Sequence, residues 1–249
     1  FFIVLFILVL AFISLNFFLF PKTLRQSPPE FIKGIWMPVS FSALTYGFNT
    51  MKEDGMNTFG TQLVYYYKDD GTFSQHPFLY LFNKIALLDF KLAKRAGLKT
   101  WLVLVATDTF GEPQPIKAEV LKNPDFLRNY NKKLIEAAKL AEKYQIDFFS
   151  PYDEPDYRMC ADYFRENDEE VKDICSTWIH DITPEIKKVY RGRIIFKSAL
   201  NQGYNYSLIN ASNYDYLGVT IGMAPDEKAQ KEQTNKILDT ALNLTKGTD

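Results

Sequence analysis

Phe148-Phe149-Ser150-Pro151-Tyr152-Asp153-Glu154-Pro155-Asp156 is the stretch on which the fold of this chain turns. An apolar run stops abruptly at a Glu flanked by Asp and Pro. Taken with the residues before it, the run predicts a strand over Ile146 to Ser150. A strand that delivers a carboxyl group to its own C-terminal end is the way a (β/α) barrel assembles an active site. Pro151 and Pro155 also frame a turn, and turns favour acids. The surrounding pattern has to decide between an ordinary loop acid and a functional one.

That pattern alternates. Upstream, Phe31 to Val39 reads as a strand, Ser42 to Asp54 as a helix and Asn57 to Tyr67 as a strand rich in β-branched and aromatic residues. Leu79 to Ala96 has helical apolar spacing and stops at Gly97. Lys99 to Ala106 is a buried strand. Pro124 to Tyr144 is the clearest helix, with Asn123 as its cap and Pro124 as its first residue. Downstream, Glu169 to Tyr190 is helical, as one helix or as two broken at Pro184. Arg193 to Ser198 and Tyr214 to Ile221 are strands, and Glu227 to Leu244 is a final helix. Strands alternating with helices of this size imply a parallel sheet. No Gly-rich phosphate loop follows any strand, which argues against a nucleotide-binding sheet. The fold class expected is therefore α/β, a TIM-type (β/α)8 barrel. A full barrel needs eight strand–helix units in roughly 250 residues, and only about six are legible here.

Composition is compatible with one large domain. The chain has 249 residues, 47% of them hydrophobic, and 29 Lys+Arg nearly cancel 30 Asp+Glu. No basic block marks a nucleic-acid partner. His76 and His180, the only histidines, are far apart in sequence, so neither a metal nor another cofactor is expected. Residues 1–20 are apolar except for Ser14 and Asn16, and roughly 20 apolar residues suffice to cross a bilayer. They read as an N-terminal transmembrane or signal-anchor helix, with the core of a cleaved signal peptide as the alternative. Residues 21–30 read as a Pro-containing linker, and 31–249 as the barrel. Triplets at Asn205-Tyr206-Ser207, Asn210-Ala211-Ser212 and Asn243-Leu244-Thr245 match N-glycosylation acceptors. With the anchor, they suggest a glycoprotein whose main domain faces the cell exterior. Cys160 and Cys175 would then either form a disulfide or remain two buried thiols.

In such a barrel the strand ends supply the working residues. They bring Trp36 from the first strand, Tyr65 and Tyr67 from the second, Asp108 from the third, Asp153 and Glu154 from the fourth, and Lys197 and Asn201 from the fifth. Carboxylates, amides and flat aromatic faces suit a sugar. Trp36 and the tyrosines serve equally well as core.

On these residues the chain resembles a clan A (β/α)8-barrel glycoside hydrolase of the cellulase or mannanase type, over about residues 32–221. Tyr152-Asp153-Glu154-Pro155 matches the position where that clan carries Asn-Glu-Pro. Met51 to Thr58 and Ala93 to Lys99 are similar to its helix-to-strand passages. The resemblance implies that Glu154 is the acid/base and that Asp153, Trp36, Tyr67, Asp108 and Asn201 bind a carbohydrate substrate. Two departures stand out. Asp153 replaces an Asn, and an ionised Asp can only accept hydrogen bonds. The clan's nucleophile is a Glu after the seventh strand, and the six units legible here end before it. Retaining hydrolysis needs two carboxyl groups roughly 5 Å apart, so the expectation is an acid/base whose nucleophile is missing from these residues. The rival expectation is a non-catalytic carbohydrate-binding protein on a decayed barrel. A lyase or aldolase would need a Schiff-base lysine, for which Lys197 is the candidate.

Overall fold

The computed structural model describes residues 32, 34–37, 47–74, 77–108, 115–159, 168–199, 211–220 and 227–245. In chain order the elements are β1 (Gly34–Met37), α1 (Phe48–Glu53), β2 (Thr58–Tyr67), β3 (Phe73–Ser74), α2 (Pro77–Arg95), β4 (Lys99–Thr107), α3 (Ala118–Leu121), α4 (Pro124–Lys143), β5 (Phe148–Ser150), α5 (Pro155–Arg158), α6 (Glu169–Lys187), β6 (Arg193–Ser198), β7 (Tyr216–Val219) and α7 (Glu227–Thr245).

The strands pair in the order β1-β2-β4-β5-β6-β7, and every pair on that path is parallel. Only the short β3 breaks the pattern, lying antiparallel to the end of β2. Parallel neighbours joined through helices are what the alternating sequence pattern requires. β1 approaches β2 closely because Gly34 has no side chain: a Cβ there would stand 2.6 Å from the Thr58 carbonyl oxygen.

Period-two alternation sorts each strand into two faces. Phe59, Leu63 and Tyr67 of β2, Leu102, Leu104 and Ala106 of β4, Phe149 of β5, and Ile194 and Phe196 of β6 join one core with the helices. Phe90, Phe126, Tyr130, Leu134 and Ile179 are their helical counterparts. The opposite face carries Trp101, Val103, Val105 and Thr107 of β4, Phe148 and Ser150 of β5, and Ile195 and Lys197 of β6. There the Trp101 indole donates to Ser150 Oγ at 2.9 Å, and Phe148 meets Tyr216 edge-on. Asn83 of α2 holds β2 from the side, accepting from Val64 N–H at 3.0 Å and donating to Val64 C=O at 3.1 Å.

The helices start and stop for local reasons. Asn123 Oδ1 accepts from Asp125 N–H at 3.0 Å, and Pro124 opens α4 where its missing N–H costs nothing. Pro184, the expected break, sits inside a single continuous α6. A helix-interior proline leaves the carbonyl four residues earlier without its donor. Here that carbonyl, on His180, receives Asn213 Nδ2 at 3.0 Å.

One expectation is overturned. Among the described residues no helix is long and apolar enough to cross a membrane. α4, at 20 residues, carries charges along its length, from Asp125 and Arg128 through Glu136 to Lys143. The N-terminal transmembrane helix, and the membrane partner inferred from it, are without support. Residues 1–20 and the linker at 21–30 lie outside the described residues, as do Asn205 and Asn210 of the acceptor triplets.

Candidate active site

β5 is anchored before its loop begins. Asp147, one residue ahead of the strand, accepts from Thr100 N–H and Thr100 Oγ1, both at 2.9 Å, and lies 3.4 Å from buried Lys94. Past the strand, Tyr130 of α4 donates its hydroxyl to Pro151 C=O at 2.5 Å. Tyr152 packs edge-on against the Tyr130 ring and donates to Ala106 C=O at 3.3 Å. Burial pushes the Tyr130 phenol well above its ordinary range, with Tyr152, Tyr65, Tyr214 and the charge of Asp153 adding to it. It therefore remains a donor.

The loop ends at Glu154, which caps α5 by accepting from Tyr157 N–H at 3.0 Å and Arg158 N–H at 2.8 Å through its carbonyl. Its backbone is left-handed, with φ 53° and ψ 61°. Among the described residues only one other non-glycine residue has positive φ, Gln145. Gln145 follows the C-terminus of α4, where a left-handed residue is an ordinary helix ending. Glu154 has no such excuse: it opens a helix, and the conformation costs an L-residue about 1–2 kcal/mol. Backbone strain of this kind clusters at functional sites.

Asp156, fully buried in the first turn of α5, ties this loop to the next strand. Its carboxylate accepts from Ser198 Oγ at 2.7 Å and from Ala199 N–H at 3.1 Å. Lys197, on the face of β6 opposite the helices, contacts Asp153 Oδ1 and lies 3.4 Å from Glu154 Oε1. From α5, Arg158 Nε lies 3.3 Å from Asp153 Oδ2 and 3.8 Å from Glu154 Oε2. Two carboxylates thus face two cations at the C-terminal ends of β5 and β6. The Asp153 side chain is 2% exposed and that of Glu154 11%, so Glu154 is the more exposed of the two carboxyl groups. Among the described residues no group of three or more Cys, His, Asp or Glu is arranged to hold a metal.

The other expected ligands are not gathered here. Tyr67 is buried on the helix-facing side, against Phe73 and Phe126, so its ring is core rather than a platform. Burial chiefly raises its phenol, with the Asp108 charge contributing next. Asp108, just past β4, is therefore near Tyr67, and no hydrogen bond or ion pair among the described residues joins it to Glu154. Asp153, expected to bind substrate, gives its oxygens to Lys197 and Arg158 instead. Trp36 lies in β1, but its side chain is outside the described set, and so are Asn201 and Cys160. Cys175 is buried on α6.

Sequence reasoning missed Arg158 and the partners of Lys197. Arg158 had a faint signal: it stands four residues after Glu154, behind a proline suited to open a helix. Lys197 sits at an alternation position facing away from the helices, but which carboxylate it meets is a long-range fact.

No protein-family model matches the chain, and no curated protein matches it in sequence. Solved structures do match. A GH113 β-mannanase from Alicyclobacillus acidocaldarius, in complex with ManMIm, aligns at TM-score 0.55 and 14% identity, covering 85% of this chain and 68% of that one. A glycoside hydrolase family 5 enzyme from Prevotella bryantii B14 aligns at 0.53 and 14%, over 85% and 72%. A structure of fungal β-1,4-galactanases aligns at 0.51 and 14%, over 78% and 61%. In fold the chain resembles these barrel glycoside hydrolase structures, in line with the resemblance read from the sequence.

Proposed function

We propose that this protein hydrolyses glycosidic bonds in a β-linked oligo- or polysaccharide, with Glu154 as the acid/base. One observation carries the reading: a strained, left-handed Glu at the C-terminal end of a barrel strand, its carboxyl group the more exposed of a buried pair. Strand ends are where this fold places its chemistry, and a carboxyl group there can protonate a leaving oxygen. The likeness to mannanase and galactanase structures supports the substrate class. A retaining mechanism asks for a second carboxylate roughly 5 Å away. Asp153 is held by two cations and Asp156 by Ser198 and Ala199. We therefore assign the nucleophile to neither of these two. The lyase or aldolase reading loses ground because Lys197 is engaged by two carboxylates rather than presented as an amine.

The test is the full-length gene product assayed on β-1,4-mannan, β-glucan, galactan and aryl β-glycosides. Glu154→Gln is expected to lower kcat on the polysaccharides by about 10²–10⁴-fold, the usual worth of a positioned general acid. Equal turnover by wild type and Glu154→Gln would reject the assignment. Glycan binding with no turnover by the wild type would favour the carbohydrate-binding alternative.

A further inference from the structure

Both cations of the site touch both carboxylates, but unequally. Lys197 contacts Asp153 and stands 3.4 Å from Glu154; Arg158 is 3.3 Å from Asp153 and 3.8 Å from Glu154. Asp153 is thus the anchored member of the pair and Glu154 the loosely held one. The two cations also differ in origin. Arg158 belongs to α5, directly after the carboxylates. Lys197 comes from β6, a separate strand paired to β5 and β7, and is 7% exposed. It is therefore the cation that fastens the carboxylate pair to the sheet. Adjacent buried carboxylates without a cation between them repel, and a buried charge stripped of its partner is strongly destabilising.

We propose that Lys197 is a positioning residue for the reaction, acting through Asp153 to hold the Glu154 carboxyl group at the place where the leaving oxygen is protonated. This rests on the acid/base reading of Glu154. It assigns Asp153 a role different from the sugar ligand expected from sequence: Asp153 and Lys197 form one charged unit that locates the acid. Protonation of the leaving oxygen matters most when the leaving group is poor, so a misplaced acid shows itself selectively there.

The experiment compares wild type, Lys197→Met, Lys197→Arg and the double variant Asp153→Asn/Lys197→Met of the full-length protein. The substrates are a phenyl β-glycoside, with a poor leaving group, and a dinitrophenyl β-glycoside, with a good one. Lys197→Met is expected to lower kcat/KM by about 10²-fold on the phenyl substrate and less than about 3-fold on the dinitrophenyl one, because kcat/KM reports the bond-cleavage step and excludes the later hydrolysis step in which Glu154 acts as base. Lys197→Arg, which keeps the charge, recovers part of the loss. The double variant removes the buried Asp153 charge that Lys197→Met leaves to Arg158 alone, so it is the variant assayed where Lys197→Met does not fold, and it is expected to show the same selective loss on the phenyl substrate. Equal losses on both substrates, or none, overturn the proposal while leaving Glu154 as the acid. Insensitivity of turnover to Glu154→Gln removes the underlying reading instead. Should the wild type turn over neither substrate, crystal structures decide: Asp153 and Glu154 unmoved in Lys197→Met or in the double variant would refute a positioning role.

Discussion

Glu154 combines three properties that oppose one another: a Cβ, a left-handed backbone and burial beside a second carboxylate. The backbone contribution is separable. Glu154→Gly and Glu154→Ala both delete the carboxyl group, so their difference isolates the conformation. Glycine adopts positive φ without penalty, and Glu154→Gly is expected to be more stable than Glu154→Ala by about 1 kcal/mol, read from urea midpoints at equal m-values. The reverse order would mean that the loop relaxes to another conformation once the carboxylate is gone. At this scale the sequence revealed a place and not a state. Glu154 stood out because an apolar run ended on it. Its pairing with Lys197 is a contact between residues more than 40 positions apart, which local pattern does not encode. The same limit explains Tyr67. Alternation showed that Tyr65 and Tyr67 share a face, but not which face meets the helices.

α4 shows how far local chemistry reaches. Cap and opening proline were both legible, and the helix begins at Pro124 as they require. It also supplies Tyr130, which holds the loop ahead of Glu154 through Pro151. Asn123→Ala is expected to lower global stability by about 1 kcal/mol, measured by urea denaturation, with the fold unchanged by circular dichroism. α6 marks the opposite case. Pro184 predicts a break from local rules, and a tertiary hydrogen bond from Asn213 to the orphaned His180 carbonyl removes the reason for one. Asn213→Ala withdraws that donor, and is expected to raise amide exchange around residues 180–187 relative to the rest of α6. Unchanged exchange there would show that solvent satisfies the carbonyl equally well. β3, α3 and α5 were not foreseen because, unlike the equally short β1, β5 and β7, they do not lie within longer apolar runs that mark a strand.

Across the whole molecule, the parallel order of the strands followed from strict alternation, since helical crossovers leave few other arrangements. Placement of the site at the strand ends followed in turn. The transmembrane reading rested on hydropathy alone and gains nothing from the described fold, whose long helices are charged. The tie between β5 and β6 invites a measurement on the intact protein. Hydrogen exchange should find the Ala199 N–H and the α5 amides opening together, because one buried carboxylate, Asp156, serves both segments. Asp156→Asn should uncouple them. That tie bears on how such a protein diverges. Barrel folds acquire new activities because each loop varies while the strands beneath it stay fixed. Here two successive loops are latched to each other, so a substitution accepted in one has to be tolerated by its neighbour. The segments after β5 and β6 are then inherited as a single unit of change, and novelty in substrate choice is left to the rest of the rim.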